Sequence, residues 1–580
     1  MASSPVASTL AILSLLAVPF VWDEFTAYQL GLYLLYGMVG QGIVLCWGRA
    51  GFLPLGQAVF FGMGAYLSGF ALHGTPGWLS VAGGFAAAIA VPALVAWLVG
   101  LLVFDRQVGS GPYFSLITLA ISMLGFQLAN SMDRLTGGFN GLTGISGLPG
   151  IDTYDHLYYV IVCVLAITTF LFSHILRLPF GQILEATREN EERLQFFGFR
   201  TSHLKALAFG LSGAVAGLAG ALYAPQQGIV TPQSLGFQLS AELVIWTAVG
   251  GRFGLLGPVV GATLIGFLAS GMRDTFLYWE VIVALVFIVV VLKLPGGLSG
   301  LFDMVLSRLG VRFSKKSALS RSIEMEQPKE RGAPNLTFEN VVVRIGPVGI
   351  LNGLSLGIDK PGIHCIIGPN GAGKTSAFNA STGKLPVRSG EIRWRGGFLQ
   401  NSRPFVVARW GVGRKFQVPS IFPGLPISRN IDIALWAHRL TFRDMFSYRP
   451  YRWKTQSLDR QLGHFDFLDD DDMPAGNLSV GQRQMLDFSM TMLAEPDLVL
   501  LDEPCAGLSS AETESMINAI ATSAKATGAT FVIIEHDMQV VEKLSDHVIV
   551  LHQGQLLANG SLGEIRKNEM VKQIYSGGTK

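Results

Sequence analysis

A glycine-rich loop between an apolar run and a helix carries the clearest chemistry in this chain. It follows the run "IHCII" and matches the pattern G-x-x-x-x-G-K-[ST]. Glycines let backbone N–H groups approach phosphate oxygens, and the N-terminus of the next helix favours negative charge. The pattern therefore predicts a nucleotide site in which Lys374 reaches the β- and γ-phosphates and Thr375 binds Mg²⁺. The residues expected to bind ATP here are Gly368, Pro369, Asn370, Gly371, Ala372, Gly373, Lys374, Thr375 and Ser376.

A second acidic element follows later in the chain, in the stretch "PDLVLLDEP" (496–504). Four apolar residues predict a buried strand that ends at Asp502 and Glu503. We expect Asp502 to hold Mg²⁺ and to belong to the ATP site. Glu503 is placed to polarise the attacking water as a general base.

Three further stretches resemble motifs of the ATP-binding-cassette ATPases, with all five motifs in that family's order across 335–580. "NLSVGQRQMLDFSM" resembles the signature, "GRKFQVP" the glutamine loop and "FVIIEHDM" the switch strand. The resemblance implies ATP contacts from Ser479, Gly481 and Gln482. It also implies Gln417 as a ligand of metal and water, and His536 facing the γ-phosphate. In this family two ATPase domains close head to tail over ATP, so a partner subunit or a second copy must supply the other domain.

The elements before residue 311 have a different composition. Only 26 of the 84 charged residues fall in 1–310, and long apolar runs fill the rest. Runs of about 20 apolar residues predict membrane spans. The first run has no basic region before it, which favours a membrane helix over a signal peptide. About ten spans are expected, near 8–22, 27–47, 52–73, 80–104, 112–131, 156–175, 205–224, 239–251, 255–270 and 277–293.

Basic residues orient these spans. The segment 176–205 carries four arginines and a lysine, so we expect it to be cytoplasmic. The fold class is therefore a polytopic α-helical membrane domain followed by an α/β P-loop ATPase domain. The predicted boundaries are 1–311 for the permease domain, 312–335 for a polar cytoplasmic linker and 336–580 for the ATP-binding domain. We interpret the linker as a flexible tether.

Two features of the membrane part leave alternatives open. The stretch 242–271 is interrupted by glycines and a proline, which is typical of helices that line a transport site. The same small residues also allow close helix packing. Glu242 lies in an apolar span, where a charged residue is a candidate for the translocation path. Its alternative role is as a partner for a neighbouring polar group.

The loop 180–199 resembles the coupling segment of bacterial importers, with Glu185, Ala186 and Gly198 at the matching places. The resemblance implies that it transmits movement between the permease and the ATPase. The alternative is a solvated amphipathic loop.

The permease half resembles the branched-chain amino acid importer family. Stretches such as "GGFNGLTGI" and "GVGRKFQVPSIF" look closest to its urea and short-chain amide branch. The resemblance implies ATP-driven import of a small polar solute, with urea or amides preferred and branched-chain amino acids as the alternative. Its implied cofactors are ATP and Mg²⁺. Its implied partners are a second permease, a second ATPase (or a second copy), a periplasmic solute-binding protein and membrane lipid.

Other function classes are less consistent with the sequence. A homodimeric exporter usually has six long helices with large cytoplasmic extensions, whereas the loops here are short. An ATP-gated or signalling protein without transport would not need the coupling segment. The net charge of +2 gives no sign of nucleic-acid binding. The expected location is the bacterial inner membrane, multi-pass, with the ATPase domain in the cytoplasm.

Overall fold

The computed structural model divides the chain into two compact units. The first comprises Met1–Arg188 and Ser202–Ala318, and the second comprises Glu189–Thr201 and Leu319–Lys580. The predicted linker 312–335 lies outside the described residues except at 322–324 and 335. The residues that the structure describes are 5–74, 77–105, 111–273, 278–294, 296–300, 322–324, 335–447, 452–469 and 473–576.

The chain up to residue 293 is helical in its described parts. Glu24–Ile43 continues as a π-helical turn, Val44–Arg49, and short 3₁₀ turns occupy Val18–Phe20, Gly138–Asn140 and Pro232–Leu235. The α-helices are Pro5–Leu16, Glu24–Ile43, Gln57–Ala71, Trp78–Asp105, Pro112–Ser131, Asp133–Thr136, His156–Ile175, Pro179–Phe196, Thr201–Gln227, Phe237–Gly250, Gly257–Arg273 and Trp279–Lys293.

Each of the ten predicted spans overlaps one of these helices, but their lengths differ. Five described helices are long and apolar enough to cross a membrane. Of the other five that overlap a predicted span, Pro5–Leu16, Gln57–Ala71 and Trp279–Lys293 are shorter than the span predicted there. The five long helices are Glu24–Arg49, Trp78–Asp105, Pro112–Ser131, His156–Ile175 and Thr201–Gln227.

Glycines allow the short helices of the first unit to pack closely. A Cβ at Gly261 would overlap the carbonyl oxygen of Trp246, and one at Gly250 would overlap that of Gly257. The helices Phe237–Gly250 and Gly257–Arg273 therefore approach backbone to backbone. Of the two readings of this stretch, close packing is the one that these contacts support.

The helix Pro179–Phe196 contains the boundary between the two units. Asn190 has φ −157° and ψ 87°, which is not helical, so the helix kinks there. The division of units falls between Arg188 and Glu189, just before the kink. The residues that follow are grouped with the second unit.

The second unit is an α/β fold with two main sheets. Twelve strands are described: β1 Ser322–Glu324, β2 Leu336–Ile345, β3 Val348–Ile358, β4 Gly362–Ile367, β5 Ser389–Trp394, β6 Gly397–Phe398, β7 Val412–Lys415, β8 Arg452–Lys454, β9 Leu498–Asp502, β10 Thr530–Ile534, β11 His547–His552 and β12 Gln555–Gly560. One sheet has the order β12-β11-β4-β10-β9-β7, and an antiparallel sheet has the order β3-β2-β5-β6. A third, two-stranded sheet pairs β1 with β8 in parallel. The fold class predicted from the sequence is confirmed.

Helices surround these sheets, and serine side chains set several of their starts. Ser479, Ser509 and Ser561 each form a reciprocal capping box with a Gln or Glu three residues later. The α-helices are Lys374–Ser381, Pro404–Arg409, Ile427–Trp436, Phe442–Met445, Gln456–His464, Val480–Leu493, Ser510–Thr527, Met538–Leu544, Leu562–Lys567 and Glu569–Ser576, with 3₁₀ turns at Asp466–Asp469 and Ala475–Asn477.

The core of the second unit joins both main sheets to the helix after the glycine-rich loop. Phe338 and Leu354 from the antiparallel sheet, Leu500 and Val532 from the parallel strands and Phe378 from the helix belong to one buried cluster. Parallel strands are covered on both faces in such folds, so β4, β9 and β10 read as continuous apolar runs. This packing fixes the strand ends from which the candidate site is built.

Candidate functional site

The predicted catalytic residues meet at one edge of the parallel sheet. Strand β10 pairs in parallel with both β4 and β9, and β9 pairs in parallel with β7. The carboxyl ends of these four strands therefore lie side by side. The glycine-rich loop follows β4, Gln417 follows β7, Glu503 follows β9 and His536 follows β10. This is the edge at which open α/β sheets bind ligands.

The glycine-rich loop folds around the Lys374 ammonium. Lys374 Nζ donates to the carbonyl oxygens of Gly368, at 2.7 Å, and Pro369, at 3.1 Å. Gly373 has φ +96°, and a Cβ there would lie 2.8 Å from Leu351 Cδ2, so the position requires glycine. Burial lowers the pKa of Lys374, while Glu503 and Asp502 oppose that shift. The ammonium group is thus held by the loop carbonyls, within electrostatic range of Glu503 and Asp502.

Asp502 and Thr375 are neighbours, as a shared metal ligation requires. Thr375 Oγ1 donates to Asp502 Oδ1 at 3.4 Å. Burial raises the pKa of Asp502 above its ordinary value, Arg414 opposes this and the adjacent Glu503 adds to it. Two close carboxylates with only partial compensation would be stabilised by a cation. Their oxygens are the ligand type that Mg²⁺ prefers, so this pair fits the predicted magnesium site.

Arg414 was not among the predicted site residues. Its guanidinium is 2% exposed and lies 4.0 Å from the Asp502 carboxylate. It donates to Thr382 Oγ1 and Asn379 Oδ1, both at 2.7 Å, and so ties β7 to the helix after the loop. Burial lowers its pKa to about 10. Arg414 lies at the end of β7, inside the stretch "GRKFQVP", and this position was the sequence signal that could have identified it as a site residue.

Glu503 has an unusual backbone conformation. Its φ is +45°, in the left-handed region that non-glycine residues rarely adopt. Its N–H donates to the carbonyl of Ile534 at 2.9 Å. Gln417 Nε2 donates to Glu503 Oε2 at 2.9 Å, and His536 Nδ1 lies 3.8 Å from the same oxygen. The structure thus brings the three predicted catalytic residues together around one carboxylate oxygen, and strain of this kind is concentrated at functional sites.

Glu535 was also missed by the sequence reasoning. It is 1% exposed and accepts from the N–H of Cys505, at 3.2 Å, and of His536, at 3.3 Å. Burial raises its pKa above the ordinary glutamate value. It holds the turn after Glu503 against the turn that carries His536. An acid inside the apolar run "FVIIEH" was the available signal.

A buried lysine connects the glutamine loop to the signature helix. Lys415 is fully buried and donates to Gln484 Oε1 on the helix Val480–Leu493. Gln484 Nε2 donates to the carbonyl of Gln417 at 3.1 Å. A displacement of this helix would therefore act directly on the backbone of Gln417.

The predicted signature residues lie together at the start of the helix Val480–Leu493. Ser479 and Gln482 exchange hydrogen bonds of 3.0 and 3.1 Å in their capping box. Gly481 is buried, and a Cβ there would overlap the Glu512 carboxylate. Ser479 lies exposed at a helix N-terminus, and its bonds run to Gln482 rather than to the glycine-rich loop. ATP contacts for Ser479, Gly481 and Gln482 remain a prediction.

The segment Glu189–Thr201 is an integral part of the second unit through Arg193. The Arg193 side chain is 1% exposed and donates to three acceptors. These are the Arg414 carbonyl at 2.6 Å, the Asp487 carbonyl at 3.0 Å and Thr491 Oγ1 at 2.9 Å. Its Nη2 also lies 2.9 Å from the Asp487 carboxylate. Arg193 thereby joins β7, which leads to Gln417, to the signature helix.

Further contacts hold the same segment in place. Asn190 Nδ2 donates to Ser420 Oγ at 3.0 Å, and Glu189 accepts from the N–H of Gly424 at 3.0 Å. Glu192 forms an ion pair with Lys384. All three contacts lie close to the glutamine loop or to the helix after the glycine-rich loop.

The three residues predicted for the coupling segment are separated between the two units. Gly198 belongs to the second unit, where its carbonyl accepts from Arg409 Nε at 2.9 Å. Glu185 and Ala186 belong to the first unit, where Glu185 pairs with Arg49 and Ala186 is fully buried. The part of the loop from Glu189 onward makes these contacts within the second unit. The signal for Arg193 was weak, because arginine is common on solvated helices.

Glu242 is half-buried on the helix Phe237–Gly250 of the first unit. Gln238, one turn earlier, donates to its Oε1 at 3.2 Å. The neighbouring polar group that the structural alternative required is therefore present. A role in translocation remains a prediction.

Comparisons with known proteins were made for both parts of the chain. Residues 25–292 match a family model described as the permease component of the branched-chain amino acid transport system. Residues 351–506 match the ABC transporter model. A solved structure of a nucleotide-free ATP-binding cassette from an ABC transporter is 24% identical, with a TM-score of 0.36, and covers 42% of this chain and 98% of that one.

Two curated relatives match the second part of the chain. The high-affinity branched-chain amino acid transport ATP-binding protein BraF of Pseudomonas aeruginosa is 32% identical over 250 residues. The corresponding protein LivG of Salmonella typhimurium is 34% identical over 250 residues. Each match covers 42% of this chain and 98% of the relative.

Proposed function

The chain belongs to the ABC transporter family of the branched-chain amino acid type, with permease and ATP-binding parts in one polypeptide, and from this we propose that it drives import of a hydrophobic amino acid. It is an ATP hydrolase coupled to transport. The observation that carries the proposal is the assembly of Gln417, Glu503 and His536 at one sheet edge in a chain that also holds a permease.

Different site residues would bind the phosphates, bind the metal ion and accept the proton of water. Lys374 and the N–H groups of the loop would hold the phosphates, and Thr375, Asp502 and Gln417 would hold Mg²⁺, which neutralises phosphate charge when bound. Glu503 takes the proton of the attacking water, because its carboxylate is held by Gln417 in a strained turn. His536 lies beside that carboxylate and would stabilise charge on the γ-phosphate.

The segment Glu189–Thr201 would transmit the state of the hydrolysis site. Arg193 contacts both β7 and the signature helix, and Lys415 and Gln484 continue that connection to Gln417. A shift of the segment would therefore alter the positions of the glutamine loop and the signature together. We assign coupling to residues 189–198 rather than to Glu185 and Ala186.

Partners complete the assembly. Ser479 is exposed at a helix N-terminus and exchanges hydrogen bonds with Gln482, as expected if ATP is shared with a second ATP-binding domain. A second permease, a second ATP-binding subunit or copy, and a solute-binding protein outside the membrane would complete the transporter. The proposed location is a bacterial inner membrane, with the ATP-binding part in the cytoplasm.

The cargo is the finer part of the proposal. The sequence favoured urea or short-chain amides, but the two curated relatives BraF and LivG are named as branched-chain amino acid transport proteins. Branched-chain amino acids are therefore the better-supported cargo.

Uptake by cells carrying this chain with its chromosomal neighbours tests the cargo. Labelled leucine and labelled urea are offered separately, with the Glu503→Gln chain as the control for ATP-driven uptake. We expect leucine uptake that the variant lacks and that excess isoleucine reduces. Uptake of urea alone would overturn the amino acid assignment and leave an ATP-driven importer of another solute.

A further inference from the structure

The helix Glu24–Ile43 ends in a π-helical turn, Val44–Arg49. The N–H of Ala50 donates to the Leu45 carbonyl at 3.1 Å, which is five residues earlier rather than the four of an α-helix. Turns of this kind are rare and are found mostly at functional sites. The last two residues of the turn, Gly48 and Arg49, are buried and contact two other parts of the first unit.

The first contact is with the residues just before the kink in the helix Pro179–Phe196. Arg49 forms an ion pair with Glu185, and their side chains are 5% and 23% exposed. Arg188 Nη1 donates to the Gly48 carbonyl at 2.6 Å. Glu185 and Arg188 are three residues apart, so one face of their helix holds the π-helical turn.

Gly51, directly after the turn, fits closely against the same helix. Its φ is +82°, and a Cβ there would lie 3.0 Å from Arg188 Cα. The position therefore requires glycine both for its backbone conformation and for the close approach. Backbone packing thus adds to the ion pair in joining this helix to the turn.

The second contact is with the irregular stretch 251–256, between the two short helices that pack backbone to backbone. Arg49 Nη2 donates to the Phe253 carbonyl at 2.7 Å. A Cβ at Gly48 would overlap the Arg252 carbonyl oxygen, so the two backbones touch there. The Arg49 guanidinium therefore bridges this stretch and the helix before the kink.

These contacts lie where movement of the coupling segment would enter the first unit. Arg188 is followed directly in the chain by Glu189–Thr201, the segment whose Arg193 contacts β7 in the second unit. A displacement of that segment would be passed along the chain to Glu185 and so to Arg49. Their charge-assisted hydrogen bond would resist separation. Because π-helical bonding is the rarer arrangement, the turn is the part of this helix that would yield first.

We propose that the turn Val44–Arg49 is the receiving element of the permease, with Arg49 as a positioning residue for transport. Arg49 would pass a displacement of residues 185–188 both to the helix Glu24–Ile43 and to the stretch 251–256. Residues 189–198 keep the coupling role beside the ATP site, and Glu185 acts through Arg49 within the first unit. The inference rests on the proposed ATP-driven transport but not on the identity of the cargo.

The simplest alternative is that the pair of Arg49 and Glu185 only stabilises the first unit. The number of ATP molecules hydrolysed per solute transported separates the two readings, because a loss of folded protein lowers both rates together. Glu185→Ala removes the pair. Arg49→Lys keeps the charge but lacks the planar fork that reaches both acceptors. Glu24→Ala is the matched control, since Glu24 is an exposed carboxylate at the start of the same helix.

Proteoliposomes carrying the assembled transporter give both rates, from phosphate release and from accumulated leucine. We expect the ATP hydrolysed per leucine to rise about threefold or more in Glu185→Ala and in Arg49→Lys. The ratio should be unchanged in Glu24→Ala. An unchanged ratio in Glu185→Ala would overturn the inference.

Hydrogen exchange of the backbone amides of residues 44–52 tests the turn without any cargo. The assembled transporter carrying Glu503→Gln, which should bind ATP without hydrolysing it, is measured with and without ATP and Mg²⁺. We expect ATP to change the exchange rate of this stretch by about threefold or more, and the change to be lost when Glu185→Ala is added. No change on ATP binding, or a change that Glu185→Ala leaves intact, would overturn the inference. If leucine does not accumulate but the exchange behaves as expected, the cargo proposal fails and the role of the turn stands.

Discussion

The guanidinium of Arg193 lies 2.9 Å from the carboxylate of Asp487, with both side chains at most 1% exposed. Burial lowers the pKa of Arg193 and raises that of Asp487, and each charge opposes the shift of the other. Such a pair is tolerated because the partners compensate each other, and the loss of one leaves an uncompensated buried charge. The contact therefore makes the orientation of the signature helix depend on the segment Glu189–Thr201.

Removal of the Arg193 charge should destabilise the second unit strongly. We expect Arg193→Met to lower the free energy of unfolding by about 3–5 kcal/mol, the range for breaking a buried ion pair. Urea unfolding of the purified full-length chain in detergent measures this change. Arg188→Met is the matched control, because Arg188 belongs to the first unit and should leave unfolding of the second unit unaffected.

The double variant Arg193→Met/Asp487→Leu distinguishes stability from coupling. Two apolar side chains should recover part of the lost stability, since neither charge of the pair remains, although the buried Lys415 loses the Asp487 carboxylate as an electrostatic partner. The hydrogen bonds from Arg193 to Arg414 and Thr491 would still be missing, so each transported solute should require more ATP. A double variant as unstable as Arg193→Met would contradict the assignment of the energy to the ion pair.

Loss of the Glu503 carboxylate should stop hydrolysis without preventing ATP binding. General base catalysis contributes about 10²–10⁴-fold, so Glu503→Gln should reduce phosphate release by at least about a hundredfold. Filter binding of labelled ATP should be retained, because the glycine-rich loop is unchanged. Glu514→Gln, an exposed glutamate paired with Lys543 in the same unit, is the control. Normal steady-state hydrolysis by Glu503→Gln would refute its role as the base.

The raised pKa of Asp502 predicts a pH-dependent effect of Asp502→Asn. A carboxyl group whose pKa is higher in the folded protein than in the unfolded protein makes folding less favourable as it ionises. For Asp502 this loss begins near the unfolded pKa, 3.8, and is complete above the folded pKa. The nucleotide-free variant should therefore be more stable than the wild type at neutral pH, and the difference should shrink as pH falls. Thermal midpoints across this range measure the effect, with exposed Asp359→Asn as control.

Magnesium and ATP give Asp502→Asn a second readout. The wild type should be stabilised by Mg²⁺ with ATP, and the variant should lose much of that stabilisation because one metal ligand is missing. Equal stabilisation of both proteins would contradict Asp502 as a ligand.

Gly198 should resist substitution for two physical reasons. Its φ is +81°, and a Cβ there would lie 2.8 Å from His438 Cε1. We expect Gly198→Ala to cost about 1–2 kcal/mol from the left-handed backbone alone, and more from the contact. Gly528→Ala is the matched control, because Gly528 has φ +62° with nothing within 4 Å of its Cβ position. Equal losses of unfolding free energy in the two variants would show that the His438 contact adds nothing.

The nucleotide site was predictable because its chemistry dictates local spacing. Both of its motifs can be found without knowledge of the sheet. One is a glycine loop after an apolar strand, and the other is an acidic pair after another apolar strand. The close approach of Gln417, Glu503 and His536 required the strand order, which places β10 between β4 and β9. That order depends on pairing between strands that are distant in the sequence, so no single residue indicates it.

The coupling segment was predictable in place but not in detail. Charge density in 176–205 identified the loop, whereas Arg193 looked like any arginine of a solvated helix. Its partner Asp487 was visible as a lone acid in the apolar stretch "QMLDFSM", which predicts a buried cation nearby without naming it. The kink at Asn190, which separates Glu185 from Gly198, is an N-cap: Asn190 has an extended backbone, and its Oδ1 accepts from the N–H of Arg193 at 3.0 Å.

Accumulation of labelled leucine by proteoliposomes tests most directly whether this chain couples ATP hydrolysis to import. The assembled transporter is reconstituted with ATP and Mg²⁺ enclosed, and leucine is supplied outside with the solute-binding protein. The account predicts accumulation above the external concentration that Glu503→Gln abolishes. Leucine that only equilibrates, or that accumulates inside vesicles when ATP is supplied only outside, would contradict it.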